Sequence, residues 1–300
     1  MIAPLGRPGG YAEHELHEAM RRLCAAARLD PESAVLLRGQ TNAVLRLAHD
    51  PIVIKIARRG TRPHRVRQTV ELVRWLMAQD FPTVTLHPIE QPVVAGEYVG
   101  TFYTCVPQPV GSPTTSDLAA PLHQLHDGGM PPFPLPVLDA IGAVRYSLGA
   151  AETLVDKDRR FLTKRADELE IDLTELQYQL PPAVLHGDPQ HGNALIDRGR
   201  IVLCDWDSAV VGPAEWDLVT VEVHARRFGH GTGSYGAFAR AYGHDIIAWP
   251  GYRTLCDLRE LRMITTNARK SGHEPSKMAE LQRRIDGLRE EDTQLRWRIM

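Results

Sequence analysis

The stretch from His186 to Asp205 constrains this chain more than any other part of its sequence. The tripeptide His186-Gly187-Asp188 follows a short apolar run, and Asp205 ends a second apolar run. Between them, segments 194–197 and 201–204 flank a turn, Arg198-Gly199-Arg200, and predict a β-hairpin. The pattern therefore predicts two carboxylates at the ends of strands, where loops can present them to a substrate.

These polar residues suit the transfer of a phosphoryl group. A carboxylate at Asp188 can orient an attacking hydroxyl and accept its proton. The amide oxygen of Asn193 suits magnesium, and Asp205 can face Asn193 and hold a metal ion that bridges nucleotide phosphates. A His-Gly-Asp tripeptide by itself is usually only a turn, but the combined residue types and spacing favour a phosphoryl-transfer site.

Composition is compatible with a soluble enzyme. The chain has 300 residues, of which 43% are hydrophobic and 24% charged, enough for one large domain or two lobes. Its net charge of −2 gives no overall field for nucleic acid or a membrane surface, and no apolar run has the length of a membrane span. The cysteines are scattered and the N-terminus lacks a signal-peptide core. We expect a cytoplasmic monomer or homodimer without nucleic-acid or membrane partners.

The chain changes character near Val106. Short β-type runs precede this residue, with one helical pattern at 65–78, whereas helical patterns dominate after it. This change predicts an α+β protein with a nucleotide-binding lobe at residues 1–105, a catalytic and substrate-binding lobe at 106–300, and a hinge at 103–107. Segment 231–236 matches GxGxxG, but it follows a helical pattern, so we interpret it as a loop between helices.

Three segments resemble the aminoglycoside phosphotransferase and choline kinase-like family of small-molecule kinases: 184–193, 203–207 and 212–218. The resemblance implies a bilobal, protein-kinase-like α+β fold, with an antiparallel sheet and a helix in the N-terminal lobe and a mainly helical C-terminal lobe. It also implies ATP or GTP as phosphate donor and Mg²⁺ as cofactor.

The same resemblance implies a role for several side chains. Asp188 would be the catalytic base, while Asn193 and Asp205 would be the metal ligands. Asp217 would be a buried acid that hydrogen-bonds the catalytic loop from the start of a helix, although an ordinary acid at a helix N-terminus is an equal alternative. His186 is part of the catalytic motif, and Asp207 could contact metal, substrate or only backbone.

Lys55 is the candidate for binding nucleotide phosphates. It interrupts a run of isoleucine and valine, where an ammonium group needs a partner or must lie on the polar face of an edge strand. Because this strand precedes the helix at 65–78, and both precede Asp188, we favour the phosphate-binding role. Glu71, the only acid in that helix, could pair with Lys55 or be a solvated surface residue.

Two backbone segments complete the predicted nucleotide site. The turn that contains Gly39, Gln40 and Thr41 resembles a nucleotide-covering loop, with an ordinary hairpin as the alternative. The second segment consists of Tyr103, Thr104, Cys105 and Val106. Its backbone would hydrogen-bond the edge of the adenine or guanine base.

The acceptor is the least constrained part. Acidic and basic residues are equally numerous in 181–300, so the overall charge gives no support to a polycationic substrate. Glu222, Asp257 and Glu260 could line a local acidic pocket or could form salt bridges along helices.

We therefore predict phosphate transfer from ATP or GTP to a hydroxyl of a small molecule: an aminoglycoside or other antibiotic, a sugar or an amino alcohol. The alternatives are a nucleotide-binding protein that transfers no phosphate, and a protein kinase. No activation-loop segment is recognisable between Asp205 and Gly212, which disfavours a protein kinase.

Overall fold

A computed structural model of the protein describes residues 8–39, 41–109, 111–229, 232–271 and 275–300. The strands of these residues, in chain order, are β1 (Val35–Arg38), β2 (Ala43–Arg46), β3 (Ile52–Ile56), β4 (Val93–Ala95), β5 (Tyr98–Thr104), β6 (Pro182–Leu185), β7 (Ala194–Asp197), β8 (Arg200–Leu203) and β9 (Val210–Pro213). The α-helices are α1 (Glu13–Ala27), α2 (Pro63–Ala78), α3 (Ala119–Asp127), α4 (Ala140–Gly149), α5 (Asp156–Thr174), α6 (Glu215–Phe228), α7 (Thr232–Tyr242), α8 (Tyr252–Ser271) and α9 (Pro275–Arg289).

The chain forms two compact units. Unit 1 comprises Met1–Ser112 and Asn193–Asp207, and unit 2 comprises Pro113–Gly192 and Ser208–Met300. Unit 1 is thus discontinuous, because a short segment from the second half of the chain belongs to it. The hinge role of 103–107, which spans the end of β5 and the residues after it, stays a prediction.

Unit 1 is built on an antiparallel sheet with the strand order β1-β2-β3-β5-β4. In the central strand β3, the isoleucines at 52, 54 and 56 are buried, whereas Val53 and Lys55 on the opposite face are partly exposed. This alternation is the strand period of two residues. It points Lys55 away from the hydrophobic core of unit 1.

The first helix, α1, was absent from the sequence prediction. Leu16, Ala19, Met20 and Leu23 are buried and form one face of this helix. Their spacing is helical, and polar residues such as Glu18 and Arg21 lie on the opposite face, so the sequence carried an amphipathic pattern that was overlooked. The sequence prediction of β-type runs with one inserted helix was therefore wrong for this part of unit 1.

The hairpin β7–β8 is present, and it pairs Ala194 with Leu203 and Asp197 with Arg200. Gly199 adopts a φ of 81° in its turn, a conformation that glycine reaches without strain. Leu203 joins the hairpin to the rest of unit 1, since its amide donates to Pro82 O over 2.9 Å and its carbonyl accepts from Val84 N over 3.0 Å. These bonds place the ends of β7 and β8 within unit 1.

Unit 2 is mainly helical and contains the two-stranded antiparallel sheet of β6 and β9. The predicted loop at 231–236 was wrong, because α7 begins at Thr232 within the described residues. No helix in the described part of the chain combines the length and the apolar character needed to cross a membrane. A sheet-rich unit and a helix-rich unit confirm the predicted α+β class.

Candidate active site

The tripeptide His186-Gly187-Asp188 begins where β6 ends in unit 2. Gly187 has a φ of 79°, and a Cβ atom built on it would lie 2.1 Å from the carbonyl oxygen of Ser208. Both the backbone conformation and the close approach of Ser208 therefore require glycine. This tight passage fixes the direction in which the chain delivers Asp188.

Asp217, in the first turn of α6, holds the same tripeptide. Its carboxylate is fully buried and accepts hydrogen bonds from His186 N at 2.7 Å and Gly187 N at 2.9 Å. Its Oδ2 also lies 3.2 Å from Nε2 of His126, and Nδ1 of that histidine lies 2.7 Å from the hydroxyl of Tyr242. The hydrogen bonds expected for a buried structural acid are thus present, and they link β6, α3, α6 and α7.

The carboxylate of Asp188 lies beside an arginine and a histidine of unit 2. Nη2 of Arg259, on α8, is 2.5 Å from Asp188 Oδ1, and Nε2 of His224, on α6, is 3.8 Å from the same oxygen. Burial alone would raise the pKa of Asp188, but Arg259, His224 and His186 outweigh it and lower the pKa to about 2. Asp188 is therefore ionised at neutral pH and can accept hydrogen bonds.

Arg259 and His224 were missed by sequence reasoning. Arg259 stands between Asp257 and Glu260 on a charged helix, where a surface role is the simplest interpretation of any arginine. Only the tertiary fold brings it to Asp188, which is 71 residues earlier in the chain. No local motif marks either residue.

Unit 1 holds a second cluster around Lys55. Its Nζ lies 2.6 Å from Oδ1 of Asp205 and 2.8 Å from Oδ1 of Asp207, and its side chain is 12% exposed. Burial alone would lower the pKa of Lys55, but the two carboxylates outweigh it and raise the pKa above its ordinary value. Lys55 therefore stays an ammonium group that can contact phosphate.

Asp205, Asp207 and Asn193 supply oxygen atoms of the kind that magnesium prefers. Asp205 has a φ of 67°, and both aspartates keep about two fifths of their side chains exposed, 40% and 43%. Asn193 Oδ1 accepts a hydrogen bond of 3.2 Å from Arg38, and Asn193 O accepts one of 2.9 Å from Cys204 N. These oxygen types suit Mg²⁺, and the assignment of Asn193 and Asp205 as its ligands stays a prediction.

Asp207, whose role was open, is tied to unit 1 by two groups. Besides the ion pair with Lys55, its Oδ2 accepts a 2.7 Å hydrogen bond from Nδ2 of Asn42. Asn42 in turn accepts from Arg58 N over 3.0 Å. The structure thus adds Asn42 to the cluster, although the sequence marked only its neighbours in the turn after β1.

Glu71 does not pair with Lys55. It is exposed on α2, whereas Lys55 contacts the two aspartates instead. The alternative of a solvated surface glutamate describes Glu71 correctly.

The predicted covering loop is described except for Gln40, which lies outside the described residues. Thr41 is exposed, and a Cβ at Gly39 would lie 2.8 Å from Cβ of Pro8. Contact with Pro8 is therefore sufficient reason for a glycine at position 39. A phosphate-binding role for this loop stays a prediction.

The predicted base-binding backbone already makes some hydrogen bonds. Thr104 N donates to Thr85 O over 2.9 Å, and Cys105 N donates to Pro51 O over 2.7 Å. Neither amide is available to a nucleotide base in this arrangement, so Val106 is the better candidate. Tyr103 is in β5, where burial raises the pKa of its hydroxyl.

The predicted acidic pocket was wrong. Glu222, Asp257 and Glu260 are buried, with 3%, 4% and 2% exposure. Each is paired with arginine: Glu222 with Arg226, Asp257 with Arg165 and Arg253, and Glu260 with Arg226 and Arg227. Salt bridges within and between helices therefore explain all three residues, and their carboxylates are not free to bind a cationic substrate.

Comparisons with known proteins agree with this chemistry. The model of the phosphotransferase enzyme family matches residues 33–255. The fold is similar to that of the amicoumacin kinase hAmiN, solved with AMP-PNP, Ca²⁺ and Ami: the TM-score is 0.72 at 15% identity, covering 96% of this chain and 98% of that one. No curated protein has a sequence that matches this chain.

Two further solved kinases share the fold. Choline kinase LicA from Streptococcus pneumoniae has a TM-score of 0.67 at 15% identity and covers 93% of this chain and 100% of its own. A microcompartment-associated aminopropanol kinase has a TM-score of 0.67 at 16% identity and covers 95% and 99%. These similarities confirm the predicted kinase-like fold. The chain belongs to the phosphotransferase enzyme family.

Proposed function

We propose that the protein transfers the γ-phosphate of ATP or GTP to a hydroxyl of a small molecule, with Asp188 as the base. The observation that carries this proposal is the state of Asp188: an ionised carboxylate at the end of β6, held by Arg259. An acceptor hydroxyl that donates a hydrogen bond to this carboxylate would be oriented for attack on the γ-phosphate. Asp188 would accept the hydroxyl proton as the new oxygen–phosphorus bond forms.

Unit 1 supports the donor side of the proposal. Lys55, kept charged by Asp205 and Asp207, would contact nucleotide phosphates. Asn193 and Asp205 would hold Mg²⁺, which neutralises charge on the phosphate oxygens when it is bound. One solved structure of similar fold contains AMP-PNP with Ca²⁺, and another contains GDP with kanamycin, which supports both ATP and GTP as candidate donors.

The polypeptide contributes position and charge. Asp217 fixes the backbone of His186 and Gly187, so that the next residue, Asp188, has a defined direction. Asp217 binds the amides of the two residues before Asp188. It therefore fixes the position of Asp188 and leaves the carboxylate oxygens of Asp188 available to the substrate. The reaction then depends on holding donor and acceptor in line.

The test is a screen of Mg²⁺-dependent ATP and GTP turnover against aminoglycosides, other antibiotics, sugars and amino alcohols. Asp188→Asn should reduce phosphate transfer to the best acceptor at least about a thousandfold, while nucleotide affinity stays within about twofold. Asp172→Asn, at an exposed position of α5, is the matched control and should behave as the unsubstituted protein does.

Unchanged turnover in Asp188→Asn would remove this residue from the mechanism. Tight nucleotide binding without transfer to any acceptor would instead favour a nucleotide-binding protein without catalysis. Transfer to protein hydroxyls in preference to every small molecule would favour a protein kinase.

A further inference from the structure

Arg262 lies about one turn after Arg259 on α8, on the same side of the helix. Both guanidinium groups pack over the indole ring of Trp216, at 5.7 Å for Arg259 and 5.3 Å for Arg262 from the ring centroid. Arg259 contacts both this ring and Asp188. The ring of Trp216 therefore holds Arg262 close to Arg259 and to the proposed base. All of these residues belong to unit 2.

Among the described residues, the guanidinium group of Arg262 makes no hydrogen bond or ion pair, and it packs on the indole ring of Trp216. Burial, followed by the nearby charge of Arg259, lowers the pKa of Arg262 to about 10. Burial removes part of the water that would hydrate this guanidinium group. An anionic partner would therefore stabilise it strongly, because charge-assisted hydrogen bonds would replace the lost hydration.

The surroundings contain more donors than acceptors. Nε of Arg259 and Nε1 of Trp216 are both buried, and neither has an acceptor among the described residues. The two acids that influence Arg262 are already engaged: Asp188 accepts from Arg259, and Asp139 accepts from Gly142 N over 2.7 Å at the start of α4. Positive charge from Arg259 and Arg262 therefore lies beside Asp188, the proposed base.

We propose that the acceptor carries an anionic group, a carboxylate or a phosphate, near its reacting hydroxyl, and that Arg262 binds this group. This inference rests on the proposed function. A guanidinium presents paired N–H donors that match either oxyanion, and its position next to Arg259 would leave the hydroxyl close to Asp188. A polycation would meet Arg259, Arg262 and His224 there, and the buried acids of α6 and α8 are already paired.

Matched pairs of compounds test the proposal by calorimetry in the presence of AMP-PNP and Mg²⁺. Glycerol 3-phosphate against glycerol, and glucose 6-phosphate against glucose, probe a phosphate. Serine against serinol, and gluconate against glucose, probe a carboxylate, while kanamycin and aminopropanol represent cations. At least one anionic compound should bind about tenfold or more tightly than its uncharged or cationic match.

Arg262→Gln should abolish that preference without a comparable loss of nucleotide affinity. Arg262→Lys should restore it only in part, because the charge returns without the paired donors. Arg253→Gln is the matched control: it removes one arginine from α8, and its partner Asp257 keeps Arg165. A thermal unfolding curve of each variant separates loss of binding from loss of fold.

The outcomes separate this inference from the proposed function. Preference for an uncharged or cationic acceptor, absence of binding by every anionic compound, or an anion preference that survives Arg262→Gln would each overturn the inference. Arg262 would then only pack on Trp216, and turnover with another acceptor would leave the phosphotransferase proposal intact. Conversely, Arg262-dependent anion binding without phosphorylation of any acceptor would support the anion site and contradict the proposed transfer.

Discussion

Nη2 of Arg259 lies 2.5 Å from Oδ1 of Asp188, so a guanidinium from α8 holds the carboxylate that we propose as the base. The contact has two consequences. It orients one oxygen of Asp188, and it opposes the effect of burial, which would favour the neutral acid. Arg259 is therefore a positioning residue for Asp188, and its contribution can be measured separately from that of the base.

The first prediction concerns the pH dependence of Arg259→Gln. In the unsubstituted protein the folded pKa of Asp188 is lowered to about 2, so the base is ionised throughout the neutral range. The variant keeps the burial but loses the main opposing charge, so the pKa of Asp188 should rise by about 1–3 pH units. An acidic limb assigned to Asp188 should move upward in the profile of kcat/KM.

The direction follows from linkage. A lowered folded pKa gives stability that is present above the unfolded pKa and is lost as the pH falls through about 2; Arg259→Gln moves this loss to higher pH. Profiles of kcat/KM and of thermal unfolding from about pH 2.5 to 9 check both effects. Arg253→Gln should leave both profiles unchanged, and superimposable profiles for Arg259→Gln would contradict the assigned role.

The second prediction compares two glycines with nearly equal backbone angles. Gly187 has a φ of 79° and lies against Ser208 O, whereas Gly199 has a φ of 81° and has no heavy atom within 4 Å of an added Cβ. Gly199→Ala should cost about 1–2 kcal/mol of unfolding free energy from backbone strain. Gly187→Ala should cost more and should also reduce kcat at least about tenfold, because Asp188 would shift.

Chemical denaturation and steady-state kinetics of the two variants provide the measurement. If Gly187→Ala is no more destabilising than Gly199→Ala and retains full turnover, the close approach of Ser208 does not control the position of Asp188.

The third prediction concerns Glu260, which was first considered for substrate binding. Its buried carboxylate lies 2.8 Å from Nη2 of Arg226 and 2.6 Å from Nη2 of Arg227. Glu260→Gln should lower the unfolding free energy by about 3–5 kcal/mol, because the buried guanidinium group of Arg227 loses its carboxylate partner, whereas the partly exposed Arg226 keeps Glu222. The KM for the acceptor should stay within about twofold in the fraction that remains folded.

Glu170→Gln provides the comparison, since Glu170 pairs with Arg145 at the surface and its side chain is 55% exposed. This pair should contribute less than about 1 kcal/mol. A large rise in KM for Glu260→Gln, without loss of stability, would return Glu260 to the acceptor site.

The features that the sequence predicted well depend on neighbours along the chain. The hairpin β7–β8 follows from two apolar runs around Gly199, and the strand β3 around Lys55 follows from its alternation. Lys55 and Asp205 were both selected as functional residues, although their 2.6 Å contact joins positions 150 residues apart. Both residues could be selected from the sequence, but their contact with each other could be seen only in the folded structure.

The features that the sequence did not predict depend on which side of a helix is covered. Arg259, Arg262 and the buried acid Glu260 occupy the same charged helix, and their spacing alone does not distinguish a surface ion pair from a buried one. Trp216 and Asp188 come from distant segments and decide which of these charges lie in the site. The proposed acceptor chemistry was therefore not predictable from local patterns.

The discontinuity of unit 1 also affects the order in which the protein can be assembled on the ribosome. Residues up to Ser112 form the sheet, but the unit is complete only with Asn193–Asp207, which are synthesised later. A nascent chain that has not reached Asp205 therefore has Lys55 without either of its carboxylate partners. Since such long-range contacts form late, completion of unit 1 has to await synthesis of Asn193–Asp207.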